Sequence, residues 1–185
     1  MDLKKHRKIF NYLVWIPAGA LIMAFFAQIH FYMPWNDSLI LVTGQSFAVL
    51  CMALLLGRWI GVWASLLYLV VGVAGVPVFA GEEYGLSVLT GSHGGFIYSY
   101  PLAAWYVGRH GELEWNRNIP FSLISLSFGT LVILFFGTVH LSFSQGFVPA
   151  LRNGLMPELP GYIIKIAAGG IAVPVIMKIH DLLFR

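Results

Sequence analysis

"ELPGYIIKIAAGGIAVPVIMKI", Glu158–Ile179, places a lysine five residues past Pro160 in a run that is otherwise long and apolar enough to cross a membrane as a helix. An ionised side chain at the centre of a spanning helix costs about 2.5–3.5 kcal/mol, so Lys165 must either reach water or serve a purpose inside the protein. On a helix its face is shared by Gly161, Tyr162, Ala168, Gly169 and, one turn further, Ala172, whereas Ile163 and Ala167 lie roughly opposite. Small residues of this kind pack against other helices in a membrane, so Lys165 is expected to point into a bundle. A second reading stays open. At 1.5 Å per residue the lysine is only about 7 Å from Pro160, within snorkelling reach of the interface.

The rest of the chain has the same character. Of its 185 residues, 58% are hydrophobic and 10% charged, far from the roughly 45–50% and 25% of soluble domains. Apolar runs at Phe10–Ile29, Leu39–Leu56, Trp59–Ala80, Gly94–Gly108, Ile119–Leu141 and Gly161–Leu183 predict a six-transmembrane-helix bundle, an all-α membrane protein forming one domain over residues 1–185. The first run follows Lys4, Lys5, Arg7 and Lys8 but is too long for a signal peptide and no A-x-A-like cleavage site follows it, so it is expected to remain as a helix. With six spans, that cluster falls on one side with Arg58, Arg109, Arg117, Lys178 and Arg185, and Arg152 alone falls on the other, which predicts an N-in, C-in topology. The net charge of +3 is thus a topology signal, and no clustered basic face points to nucleic acid. The lone Cys51 makes neither a disulfide framework nor a metal pattern.

The inner connections are short, while two outer ones, Gly81–Gly94 and Ser142–Pro160, are long for a small bundle and are expected to carry function. A lysine opening towards them implies an anionic partner. Asp2, Glu112, Glu114 and Asp181 fall on the inner side, and Asp37, Glu82, Glu83 and Glu158 fall in outer loops, so the partner is either a ligand carboxylate or a loop carboxylate folding over the site. In "VTGQSF", Val42–Phe47, Thr43 and Gln45 can donate and accept hydrogen bonds and Gly44 permits close backbone approach, although a buried glutamine can equally bond a neighbouring helix. In "TGSHGG", Thr90–Gly95, the glycines suit a tight turn from which Ser92 and His93 could contact a ligand. Gly72, Gly75 and Pro77 break the third run near its outer end, where Phe79, Tyr84 and Trp63 could wall an apolar pocket or belong to the interfacial aromatic belt. Ala20 and Ala24, extended by Ala27, form a small-xxx-small pair that suits packing within the chain or against a partner.

These residues give the chain a resemblance to the BioY family, the biotin-binding S components of energy-coupling-factor (ECF) vitamin transporters. It is carried by "TGQSFAVL" (Thr43–Leu50), "LGRWIGVWASLLYLVVGVAGVPVFAG" (Leu56–Gly81), "LTGSHGGFIYSYPLAAW" (Leu89–Trp105) and "ALRNGLMPELPGYIIK" (Ala150–Lys165), of which Tyr68–Phe79 is the most specific. The resemblance implies an S-component-like six-helix bundle in a bacterial plasma membrane that binds biotin without catalysis. Lys165 would meet the ligand carboxylate, Thr43, Gln45 and the Ser92–His93–Gly94 turn its polar head, and Phe79 and Tyr84 its apolar body. It also implies that Ala20 and Ala24 dock on a membrane-embedded coupling subunit, with ATPase subunits supplying the energy, since the chain has no G-x-x-x-x-G-K-[ST] and no cofactor motif. The family usually has an acid where this chain has Tyr162, so a phenol stands where a carboxylate would accept from a ureido N–H. Two alternatives remain at this point: an S component or solitary carrier for another carboxylated vitamin, and a membrane-embedded hydrolase or transferase using Ser92 with His93 or His140.

Overall fold

The computed structural model describes residues 3–35 and 38–183; Asp2, Asp37 and Arg185 lie outside the described residues. The chain is mostly helical. It opens with α1 (Leu3–Gln28), which extends beyond the first apolar stretch at its basic end and stops one residue short of the other. There follows a departure from the all-helical expectation: β1 (His30–Trp35) and β2 (Ser38–Thr43) pair antiparallel, with His30 opposite Thr43 and Trp35 opposite Ser38. The stretch Leu39–Thr43, expected as the start of the second span, is therefore a strand. Its Leu-Ile-Leu-Val run is as apolar as a helix, and hydropathy cannot separate the two over so short a length.

The helix proper begins one residue after Gly44, as α2 (Gln45–Leu56), and α3 (Arg58–Val73) follows across Gly57, whose φ of 89° makes the reversal. Two short helices, α4 (Leu86–Thr90) and α5 (Gly94–Tyr98), lead into α6 (Tyr100–Glu112). α7 (Ile119–Gln145) and α9 (Met156–Leu183) are the longest. Between them lie α8 (Phe147–Ala150) and a π-helical turn at Leu151–Leu155, and with the ends of α7 and α9 they make nearly all of what the sequence suggests as an outer loop helical. Pro157 is the second residue of α9, so the helix begins before Pro160 and includes Glu158.

Among the described residues three segments are long and apolar enough to cross a membrane: Ile9–Gln28, Ile119–Gln145 and Met156–Leu183. Helices α2 and α3 are apolar but shorter, about 18 and 24 Å at 1.5 Å per residue. α2 is enclosed by its neighbours, with Ala48, Val49, Leu50, Met52, Ala53 and Leu54 all buried, as suits a helix that is apolar on every side. Small residues bring the helices close around it. A Cβ at Gly61 would lie 2.9 Å from that of Ala53, and one at Gly169 would lie 2.7 Å from Cys51 Sγ and 2.9 Å from Leu126 Cδ1.

The alanine seam of α1 is part of this internal packing. Ala20, Met23 and Ala27 are buried, Ala24 lies partly buried beside them, and Leu21 and Phe25 face outwards. The face expected to meet a coupling subunit thus packs largely inside the chain, because α1 needs its small residues to approach α3; a Cβ at Gly19, on the same side, would lie 2.8 Å from that of Ala64. At the short-loop end, Glu112 takes Arg58 and Arg109, each at 3.4 Å, and Arg117 pairs with Asp181.

Gly169→Val would drive methyl groups into Cys51 and Leu126 at the junction of α9 with α2 and α7. Overpacking of this kind costs about 1–3 kcal/mol, so the variant in detergent should unfold several degrees below wild type in a thermal scan.

Candidate ligand-binding site

The site begins where α3 ends. Gly75, with φ of 106°, turns the chain back along the helix it has just left. The returning segment is fixed there by Tyr68, whose hydroxyl donates to the Val78 carbonyl at 2.9 Å and whose ring meets Phe79 edge-on at 5.4 Å between centroids. Phe79 lies directly over Gly72, where any side chain would collide with its ring. From the end of α1, Gln28 holds the same segment: its Nε2 donates to the Phe79 carbonyl at 2.9 Å, and its Oε1 accepts from the Glu82 amide at 3.3 Å.

Gln45, the first residue of α2, donates from Nε2 to the Tyr68 hydroxyl at 2.7 Å and accepts at Oε1 from the Tyr100 hydroxyl at 3.3 Å. One buried amide thereby joins α2 to α3 and α6. Gly44 makes its placement possible, since a Cβ there would lie 2.5 Å from the Phe26 carbonyl oxygen.

These groups enclose a cavity of about 170 Å³, lined also by Thr43, Ser46, His93, Glu158, Tyr162 and Lys165, among others. A water needs on the order of 10–15 Å³ on this measure, so the space is suited to a small organic molecule. Lys165 reaches it from α9, donating from Nζ to Ser46 Oγ on α2 at 3.0 Å and sitting 4.4 Å from the centre of the Tyr162 ring. The ammonium is turned into the bundle, not towards a rim. Among the described residues no carboxylate oxygen lies within 4.0 Å of it. Gly161 lets α9 come near enough, with Val42 of β2 only 3.0 Å from where its Cβ would be.

Of the residues singled out from sequence, Lys165, Gln45, Thr43, Tyr162, Phe79 and His93 line this one cavity. Ser92 and the exposed Tyr84 instead line a shallow depression outside it, which His93 and Glu83 share with the cavity. Gly94 is buried against the backbone of Leu89, with no room for a side chain, and closes the turn that carries His93. Ser46, Tyr100, Phe96 and Ile97 were missed. Ser46 had a signal in its adjacency to Gln45 at a helix start; the other three depend on how α5 and the start of α6 follow the turn. His140 is engaged elsewhere, its Nε2 bonded to the Gly91 carbonyl at 3.0 Å and its Nδ1 to the Tyr98 hydroxyl at 3.2 Å. Among the described residues no hydrogen bond joins Ser92 to either histidine, so the hydrolase constellation is not assembled.

A lipid-compatible helical bundle with an amphipathic internal cavity defines a membrane-embedded binding protein for small molecules. Within that class the chain belongs to the BioY family, whose model matches residues 3–182. It is 34% identical over 127 residues to the "Probable biotin transporter BioY" of Pyrococcus horikoshii, covering 68% of this chain and 74% of that protein. To the "Biotin transporter BioY" of Thermotoga maritima it is 33% identical over 133 residues, covering 67% of this chain and 78% of that protein. Its fold matches the crystal structure of "the S-component for biotin from an ECF-type ABC transporter" with a TM-score of 0.79 over 93% of each chain, at 20% identity.

Gln45→Leu would leave the Tyr68 and Tyr100 hydroxyls without their shared partner. Tyr68 would keep the Val78 carbonyl, but the buried Tyr100 hydroxyl would be orphaned at a cost of about 1–3 kcal/mol, so the variant should show a clear drop in unfolding temperature, and Tyr100→Phe a smaller one.

Proposed function

We propose that this chain is the substrate-binding subunit of a biotin uptake system and does no chemistry of its own. The observation that carries the reading is Lys165: an ammonium inside an apolar bundle, bordering a cavity, with a serine hydroxyl and an aromatic face as neighbours and no carboxylate in contact among the described residues. Such a group calls for an anionic ligand. Biotin has a carboxylate on an apolar chain and a polar ureido head, and the names carried by the relatives point the same way. In this reading the carboxylate meets Lys165 and Ser46, Phe79 and its neighbours cover the apolar body, and Thr43, Gln45 and His93 line the path of the head, with Ser92 and Tyr84 forming a vestibule outside.

The whole chain acts as one domain with six membrane-crossing helices, α1, α2, α3, α6, α7 and α9, in an N-in, C-in arrangement. What supports this is the gathering of Arg58, Arg109, Arg117 and Lys178 at the end of the bundle where α1 begins, with Arg152 at the other. The site then opens to the outside of a bacterial plasma membrane. Energy for release comes from ATPase subunits through a membrane-embedded coupling subunit. Because Ala20 is packed inside the chain, that subunit would meet α1 through Ala24 and the outward residues Leu21 and Phe25.

Labelled biotin should bind the purified protein at or below micromolar concentration, and Lys165→Met should abolish measurable binding, since losing one member of a buried charge pair costs roughly 2–5 kcal/mol. Biotin amide should lose a similar amount on wild type and little more on the variant. If the two losses add in full, the carboxylate is held elsewhere; if biotin does not bind at all, the ligand assignment is wrong.

A further inference from the structure

Glu158, Tyr162 and Lys165 stand at i, i+4 and i+7 on one face of α9, and all three line the cavity. The spacing puts about 10.5 Å of helix axis between the acid and the base, and they form no ion pair within 4.0 Å. Glu158 is half-buried, and among the described residues it takes part in no hydrogen bond or ion pair. A carboxylate held in an apolar wall without a protein partner is costly unless something else satisfies it. Glu83, the other acid on the cavity lining, is exposed at the mouth and shared with the outer depression, so it carries no such demand.

Tyr162 is placed for a different task. It is 4% exposed, and its ring lies against the Lys165 ammonium, so it fills space and holds that charge in position. The groups that face Glu158 electrostatically are Lys165 and His93, one deeper in the cavity and one on the α5 side of it.

We propose that Glu158 is the specificity-determining acceptor for the N–H-bearing end of the ligand, making the cavity a two-ended receptor for a molecule with an anion at one end and hydrogen-bond donors at the other. This rests on the biotin-binding reading above. An ionised carboxylate only accepts, so the ligand's far end must present donors, and a charge-assisted bond is about twice as strong as a neutral one. The acceptor therefore sits one helical turn nearer the mouth than Tyr162, at the far end of the cavity from Lys165.

The test compares biotin with 2-iminobiotin, in which a cyclic guanidinium, positive at neutral pH, replaces the neutral urea. Wild type should bind 2-iminobiotin at least as tightly as biotin. Glu158→Gln should weaken 2-iminobiotin at least about tenfold more than biotin, one unit of charge-assisted bonding having been lost, while biotin amide remains as disfavoured as on wild type. Equal affinities on wild type and Glu158→Gln for both ligands, or an equal loss for both, would overturn the assignment to Glu158 and leave the biotin reading intact. Failure of wild type to bind biotin would overturn the biotin reading and this inference with it. Should Glu158→Gln not fold, wild type decides alone: binding 2-iminobiotin more than about tenfold more weakly than biotin rules out a carboxylate acceptor at the head.

Discussion

A lysine ammonium inside an apolar bundle is the constraint around which the site is built. Moving such a charge from water into a low-dielectric interior costs several kcal/mol even after relaxation, and the surroundings of Lys165 each reduce that cost in part. Ser46 takes one of its three donors and the Tyr162 ring offers a negative face. Both contacts require α9 to lie close to α2, which the glycines at 161 and 169 allow by leaving room for Val42 and for Cys51 and Leu126. Packing density and electrostatics are here one requirement: a bulkier α9 would separate the ammonium from its neighbours as well as strain the core.

The opposite wall answers a second constraint, the cost of irregular backbone at the edge of an apolar phase. The chain leaving α3 has no helix to satisfy its carbonyls, and Tyr68 and Gln28 each supply a hydrogen bond to it. Gln45 then ties Tyr68 to Tyr100, so the wall is a connected polar network covered on one side by Phe79. Networks of this kind specify a single geometry when every member is satisfied, which suits a wall that must present the same shape to each incoming molecule.

Much of this was legible in the residues. The face of α9 that carries Gly161, Tyr162, Lys165 and Gly169 follows from the helical period, and the break after Gly72 and Gly75 from glycine chemistry. Other features were not. The strand Ser38–Thr43 has no alternation to distinguish it from a helix, because its apolar run is continuous. Glu158 reads from sequence as part of the outer loop Ser142–Pro160, yet α9 begins at Met156, and only that extension brings the acid onto the face of Lys165. The Ala20–Ala24–Ala27 seam had two possible neighbours, and spacing cannot say which of them a small-residue stripe meets.

The two hydrogen bonds made by Gln28 have a mechanical meaning. Gln28 is the terminal residue of α1, a rod of 26 residues, about 39 Å long, whose outer side faces away from the bundle for most of its length. Its amide grips the Phe79 carbonyl and the Glu82 amide, and Glu82 already sits in the left-handed region at φ of 62°. The rod and the cavity wall are therefore joined end to end like a lever and a latch. Any tilt of α1 that moves its tip by an ångström or so pulls on both bonds at once, and the strained turn at Glu82 is where that pull is delivered.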